Sequence, residues 1–265
     1  MVEQPLSGGN MSGAVRVGAT VRKPAQPQSA TIRRLLAHVR AQGVTWVPEP
    51  LGTDEQGRDV WSFIAGEAVH DHPAWLWSTD VLVTVAKRLR EWHDASASFE
   101  RRTDDVWWWP GKLPAEVICH VDFAPYNHVF RDGQFVGAID FDICYPGPRL
   151  WDLAYTAYRY LPLTPHADDP VDDGAEWGRT HLVLAQIRQR IDAFLDAYAG
   201  RDAHLRYPAS ALVGYVPPRL IAMADWCDRQ DDPALRRNGV MYRAHAQWLA
   251  RGARGPADVA DVRDL

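Results

Sequence analysis

Apolar residues change their spacing along the chain near residue 66. Before it, short runs such as AVRVG (14–18) and ATVRKPA (19–25) are punctuated by Gly18 and Pro24, which predicts strands and turns. Ile32, Leu35, Leu36 and Val39 then recur at helical spacing, predicting a helix over 30–42 with Gly43 suited to its C-terminal cap. PLGTDEQGRDVWSFIAG (50–66) predicts a hairpin around Gln56-Gly57. After Gly66, Ser78-Thr79-Asp80 is set to cap a helix carrying Val81, Val85, Leu89 and Trp92 on one face. WWWPGKLP interrupts the pattern. Residues 117–142 read as strand, polar loop, strand, Asp132-Gly133 turn and strand. Beyond Leu150 the period is helical, with helices expected at 151–160, 176–199, 217–230 and 234–252. The outline is α+β. A small β-rich lobe (1–66) meets a larger, mainly helical lobe (67–265) at a joint near 62–66, and a cleft is expected between them.

Composition adds little to this outline and excludes more than it suggests. A chain of 265 residues, 46% hydrophobic and 24% charged, has ample material for a core. Its net charge of -5 offers no attraction to nucleic acid or anionic membrane. Cys119, Cys144 and Cys227 are scattered and form no CxxC pair, which argues against a disulfide framework or zinc site and for a reducing compartment. MVEQPLSGGNMSG has no apolar h-region, and no apolar run is long enough to span a bilayer. The expectation is a cytoplasmic protein with neither a nucleic-acid nor a membrane partner.

Chemistry concentrates in CHVDFAPYNHVFRDGQFVGAIDFD (119–142). Phosphoryl transfer needs a carboxylate to orient an acceptor hydroxyl and take its proton. It also needs oxygen ligands for magnesium, a cation, and a glycine-bearing loop for the phosphates. Asp122 and Asn127 stand five residues apart on one loop, the spacing of a kinase base and metal-binding Asn. The next hairpin strand returns Asp140 to the start of the hairpin, beside Asn127. Asn is rare here (Asn10, Asn127 and Asn238), so its occurrence at this offset is hard to assign to turn chemistry alone.

ICHVDFAPYNHVF, VGAIDFD and YPGPRLWDLAY together resemble the aminoglycoside phosphotransferase / choline-kinase-like family of small-molecule kinases. That family carries an H-x-D-x-x-x-x-N loop, then I-D-[FW]-[DE], then G-[DP]-P…D-L-A. LREWHDA (89–95) resembles its L-x-x-L-H segment with Trp92 for Leu, and VWSFIAGE (60–67) its hinge strand. The resemblance covers most of the chain and is strongest over 117–155. It implies a protein-kinase-like two-lobe fold with Asp122 as catalytic base, His120 bracing the loop, and Asn127 and Asp140 as Mg²⁺ ligands. Asp152 would be a structural brace, and Ser62, Phe63 and Ile64 would contact the nucleotide, ATP or GTP. Gly8 and Gly9 lie where a phosphate-covering loop belongs. One of Arg22 and Lys23, which point to opposite faces of a strand, should meet the phosphates. The family's helix glutamate has no counterpart in 30–42.

Other polar features have plainer readings. His70 and His72 in VHDHP lack companions for a metal site, and His93 suits packing or capping. Trp107, Trp108 and Trp109 must partly pack, though aromatic faces at a substrate mouth attract cations. Acidic residues in HADDPVDDGAEW (166–177) read as a solvated cap, or as a rim for an amine-bearing acceptor. Asp142 divides between metal contact and a supporting role. The leading expectation is an enzyme that phosphorylates a hydroxyl of a small polar acceptor. A nucleotide-binding pseudokinase, suggested by the absent glutamate, and a metal-dependent hydrolase are the alternatives. Acceptor identity, ATP against GTP, and oligomeric state stay open.

Overall fold

The structure, a computed structural model, describes residues 2–6, 13–70, 73–161, 163–164 and 184–251. The chain divides into two compact units, Met1–His70 with Arg90–Arg149, and Asp71–Leu89 with Leu150–Leu265.

The first unit opens with five antiparallel strands: β1 (Gln4–Pro5), β2 (Val15–Val17), β3 (Thr20–Lys23), β4 (Pro50–Thr53) and β5 (Asp59–Ser62), in the order β1-β2-β3-β5-β4. β1 lacks any alternating pattern and was not expected from the sequence. Gly18 (φ +60°) makes the β2–β3 turn. Between β4 and β5 the Asp54 carboxylate accepts from the Gln56 and Arg58 backbone N–H groups, and Gly57 takes φ +73°. Helix α1 (Ser29–Ala41) buries Ile32, Leu35, Leu36 and Val39, the expected face, and ends before Gly43 at φ +94°.

The same unit holds the hairpin of residues 128–138. β6 (Glu67–Ala68), β8 (His128–Arg131) and β9 (Gln134–Ala138) form a sheet in the order β6-β8-β9. Asp132 and Gly133, at φ +51° and +71°, reverse the chain between β8 and β9 as the Asp-Gly pair predicts. β7 (Val117–Cys119) pairs with β10 (Tyr145–Gly147). The C-terminal turns of helix α2 (Thr79–Ala97) belong to this unit. Its Trp92 is fully buried and donates to the Ile118 carbonyl at 2.8 Å. The hairpin therefore groups with the N-terminal sheet, whereas the sequence outline assigned it to the helical lobe.

In the second unit, helices α3 (Arg149–Tyr160), α4 (Leu184–Ala199), α5 (Ala209–Asp228) and α6 (Pro233–Arg251) follow the first turns of α2. α3 is buried from Trp151 to Tyr160, so its polar tips find partners inside. Tyr155 and Tyr242 share a hydroxyl hydrogen bond of 3.1 Å, and Tyr158 Oη meets His245 Nδ1 at 2.8 Å. The Arg219 guanidinium lies over the rings of Trp151 and Tyr155. α5 begins eight residues before the expected start at Pro217 and carries Pro217-Pro218 inside. Leu212, Val213, Val216 and Leu220 recur at helical spacing and are buried, and that burial outweighs the missing N–H groups. Of the helix expected over 176–199, residues 176–183 lie outside the described residues. Among the described residues no helix is long and apolar enough to cross a membrane.

Candidate active site

A cavity of about 270 Å³ lies within the first unit. Val21, Ile32, Leu36, Trp61, Val129 and Phe141 supply apolar wall, while Lys23, Asn127, Asp140 and Asp142 supply charge and oxygen. A pocket with apolar walls and a few convergent polar groups suits a ring with a charged tail.

The loop that carries Asp122 leaves β7 through fully buried His120. Val121 follows at φ +75°, a conformation costly for a β-branched residue and typical of a site held under constraint. It turns Asp122 toward the short 3₁₀ turn Pro125–Asn127. There Tyr126 Oη donates to Asp122 Oδ1 at 2.5 Å, and Asn127 Nδ2 donates to Asp122 Oδ2 at 2.9 Å and to its carbonyl at 3.0 Å. Both carboxylate oxygens of Asp122 are thereby held in one orientation.

The hairpin closes the site. Ile139 N–H donates to the Asn127 carbonyl at 2.8 Å, which sets Asp140 next to Asn127. Asp140, like Val121 and Asp132 before it, is a non-glycine residue at positive φ, +65°. His120 joins the two halves. Its Nδ1 lies 3.4 Å from the Asp122 backbone N–H, and its Nε2 lies 3.2 Å from the Ile139 carbonyl. An N–H facing Nδ1 and a carbonyl facing Nε2 call for the neutral tautomer protonated at Nε2. Phe123, Phe141 and Trp92 pack around its ring at 5.4, 4.5 and 6.4 Å.

Of the two candidate cations, Lys23 faces the cavity and Arg22 does not. Lys23 Nζ is 2.5 Å from Asp142 Oδ2 and 3.1 Å from Asp140 Oδ1. Burial pulls the Lys23 ammonium down, but the carboxylates of Asp140 and Asp142 more than reverse this and hold it above the ordinary lysine range. Asp142 is pushed up by its own burial, which exceeds the opposing pull of Lys23. Arg22, on the other face of β3, pairs with Asp54 at 3.2 Å, and Arg58 shares that carboxylate. Gln28, buried just before α1, donates from Nε2 to the Asp142 carbonyl at 3.1 Å.

Ser62, Phe63 and Ile64 line the cavity as β5 leaves its sheet. The Phe63 N–H is committed to the Ala19 carbonyl, and the Arg16 guanidinium lies 3.9 Å over the Phe63 ring. Gly8, Gly9, His72 and the acidic run 166–177 lie outside the described residues. His70 lines the cavity, His93 is fully buried, and Asp152 is fully buried in α3. None of Trp107, Trp108 and Trp109 lines the cavity. Trp107 packs edge-on to Phe99 and Trp109 to Tyr145.

Three residues of the site escaped sequence reasoning. Tyr126 stands inside the loop motif, so its offset of four from Asp122 was available as a signal. Gln28 carried none. His128 lies against Phe123 at 4.1 Å and Phe135 at 5.2 Å, and burial followed by the neighbouring His120 drives its pKa well below the usual histidine value.

The donor set fits magnesium. With its amide nitrogen committed to Asp122, Asn127 presents Oδ1, and Asp140 and Asp142 add carboxylate oxygens at the same cavity. Among the described residues no cluster of three or more His, Cys, Asp or Glu forms a separate metal cage. Magnesium suits so sparse a set, because it usually draws further ligands from phosphate and water.

A family profile described as "Phosphotransferase enzyme family" matches residues 68–185. A trifolitoxin immunity protein of Rhizobium leguminosarum bv. trifolii is 34% identical over 195 residues, covering 71% of this chain and 72% of that protein. The chain belongs to the phosphotransferase enzyme family. It is accordingly an enzyme of the phosphotransferase class. Solved structures agree on the fold at low identity. A choline/ethanolamine kinase family protein from Mesorhizobium loti matches with TM-score 0.63 and 18% identity, over 100% of this chain and 93% of that one. The GDP complex of an aminoglycoside 2'-phosphotransferase-IIIa matches with TM-score 0.57 and 13% identity, over 96% and 94%. The fold of this phosphotransferase is accordingly α+β and protein-kinase-like.

Proposed function

We propose that this phosphotransferase moves the γ-phosphoryl group of ATP or GTP to a hydroxyl of a small polar acceptor, with Mg²⁺ bound by Asn127 and Asp140. The observation that carries this reading is that Lys23, Asn127 and Asp140 line one cavity, with Lys23 paired to Asp140 and Asn127 hydrogen-bonded to Asp122 on the adjoining loop. The apolar wall takes the base, Ser62–Ile64 border it, and Lys23 meets the phosphates. Asp122, aimed by Tyr126 and Asn127, receives the hydroxyl proton as the acceptor oxygen bonds to the γ-phosphorus. The bond from that phosphorus to the β–γ bridging oxygen breaks, and nucleoside diphosphate leaves. Bound Mg²⁺ supplies positive charge that neutralises the β- and γ-phosphate oxygens. His120 takes no proton in this scheme; it ties the base loop to the metal-binding strand end.

The regulatory alternative rested on the absent helix glutamate. Lys23 has carboxylate partners without it, which removes that motive. An amine-bearing acceptor is favoured by the acidic run 166–177 and by structural relatives named as choline/ethanolamine kinases and aminoglycoside phosphotransferases. A cytoplasmic setting is supported by three buried free thiols, Cys119, Cys144 and Cys227. The relative named as an immunity protein favours one further reading, in which the acceptor is an antimicrobial compound.

The test is a nucleoside-diphosphate release screen over hydroxyl-bearing amines and antimicrobial compounds, with Asp122→Asn as the blank. Turnover should fall by at least ~10³-fold in Asp122→Asn while nucleotide binding persists. Retained turnover in that variant would refute Asp122 as the base.

A further inference from the structure

A lysine on a four-carbon stem is a mobile charge. To meet phosphate oxygens in one geometry it needs a fixed anionic partner. In kinases generally a glutamate on the helix after the lysine strand fills this role. Here α1, SATIRRLLAHVRA, contains no acidic residue. Its buried residues are Ser29, Thr31, Ile32, Leu35, Leu36 and Val39, none of them acidic, and Ile32 and Leu36 form cavity wall.

We propose that Asp142 replaces that glutamate as the positioning residue for Lys23, leaving Asp140 to the metal. The inference rests on the nucleotide-dependent reading above. Three observations carry it. Asp142 Oδ2 makes the shorter of the two contacts to Nζ, 2.5 against 3.1 Å. The Asp142 side chain is the more enclosed, 30% exposed against 47% for Asp140. Buried Gln28, immediately before α1, grips the Asp142 carbonyl from Nε2. Thus the start of the helix holds the acid in place instead of bearing it. Asp140 is set differently. It follows Ile139, whose N–H bonds the Asn127 carbonyl, so its neighbour is the Asn expected to hold the metal.

Calorimetric titration of ATP at a series of Mg²⁺ concentrations tests the assignment in wild type, Lys23→Ala, Asp142→Asn, Asp140→Asn and the Lys23→Ala/Asp142→Asn double variant. Asp142→Asn should weaken ATP about tenfold, and the double variant should be no weaker than Lys23→Ala alone. The half-saturating Mg²⁺ concentration should stay at the wild-type value in Asp142→Asn and rise in Asp140→Asn. Gln28→Met is a milder probe, expected at about threefold weaker with Lys23 present and without effect in Lys23→Ala. It also carries the test if Asp142→Asn does not fold. An Asp142→Asn variant with unchanged ATP affinity, with its full effect retained in the Lys23→Ala background, or with a raised Mg²⁺ requirement overturns the assignment alone. Wild-type protein that binds no ATP or GTP overturns the nucleotide reading, and this inference with it.

Discussion

Adjacent residues 22 and 23 show how much one side-chain direction decides. Strand alternation requires them to diverge, and the structure sends Lys23 to the cavity and Arg22 to Asp54. Lys23→Ala is expected to raise the nucleotide KM by about tenfold or more, whereas Arg22→Ala should leave it within about twofold. Diphosphate-release kinetics compare the two, and a larger effect of Arg22→Ala would reverse the assignment. His128 makes a second prediction. Its folded pKa is depressed by burial, so the unfolded chain takes up the proton first as pH falls below about 6.5. Its contribution to stability is full above that value and declines below it. The slope is up to ~1.4 kcal/mol per pH unit until the folded pKa is reached. Urea unfolding between about pH 7 and 5 should show this slope, reduced by one proton equivalent in His128→Asn. The burial of His128 was not legible beforehand, because a histidine among aromatics looks the same in a sequence whether buried or exposed.

Elements were more legible than their ends. The helix over 30–42 and the Asp-Gly hairpin appear within a residue or two of expectation, since periodicity and turn chemistry act locally. α5 departs from expectation because tertiary burial of Leu212, Val213 and Val216 overrides the usual meaning of proline as a helix start. β1, β6 and β10 are two or three residues long and exist only through their partners. The joint between β5 and β6 shows such dependence at Gly66. Its φ is +152°, and a Cβ there would lie 2.5 Å from the Phe130 carbonyl oxygen on β8. Gly66→Ala should destabilise the protein by about 1–3 kcal/mol and more than Gly43→Ala does. Gly43 also has positive φ, +94°, but open space around its missing Cβ. Equal urea midpoints for the two variants would rule out the steric argument.

At the scale of the whole molecule, the candidate site is contained in one compact unit, because β6 pairs with β8 and groups the β8–β9 hairpin with the N-terminal strands. Every described residue lining the cavity comes from that unit. Nucleotide binding should therefore stabilise this unit directly. ATP with Mg²⁺ at about a hundred times its Kd should add roughly 2.7 kcal/mol and raise Tm by a few degrees. The effect should be small in Lys23→Ala and preserved in Asp122→Asn. A thermal shift of equal size with ATP in chelator would argue against the metal.

The sequence by itself determined the order of chemical groups along the loop, His120, Asp122, Asn127 and Asp140, together with the hairpin between the last two. Those are matters of local spacing and turn geometry, which a linear pattern contains. Only the tertiary structure decided which neighbour of a pair faces the cavity, that Asp142 meets Lys23 and is held by Gln28, and that Trp92 bonds Ile118 just before the loop that carries Asp122. Lys23 and Asp142 stand 119 positions apart, a separation across which no local pattern carries information about contact.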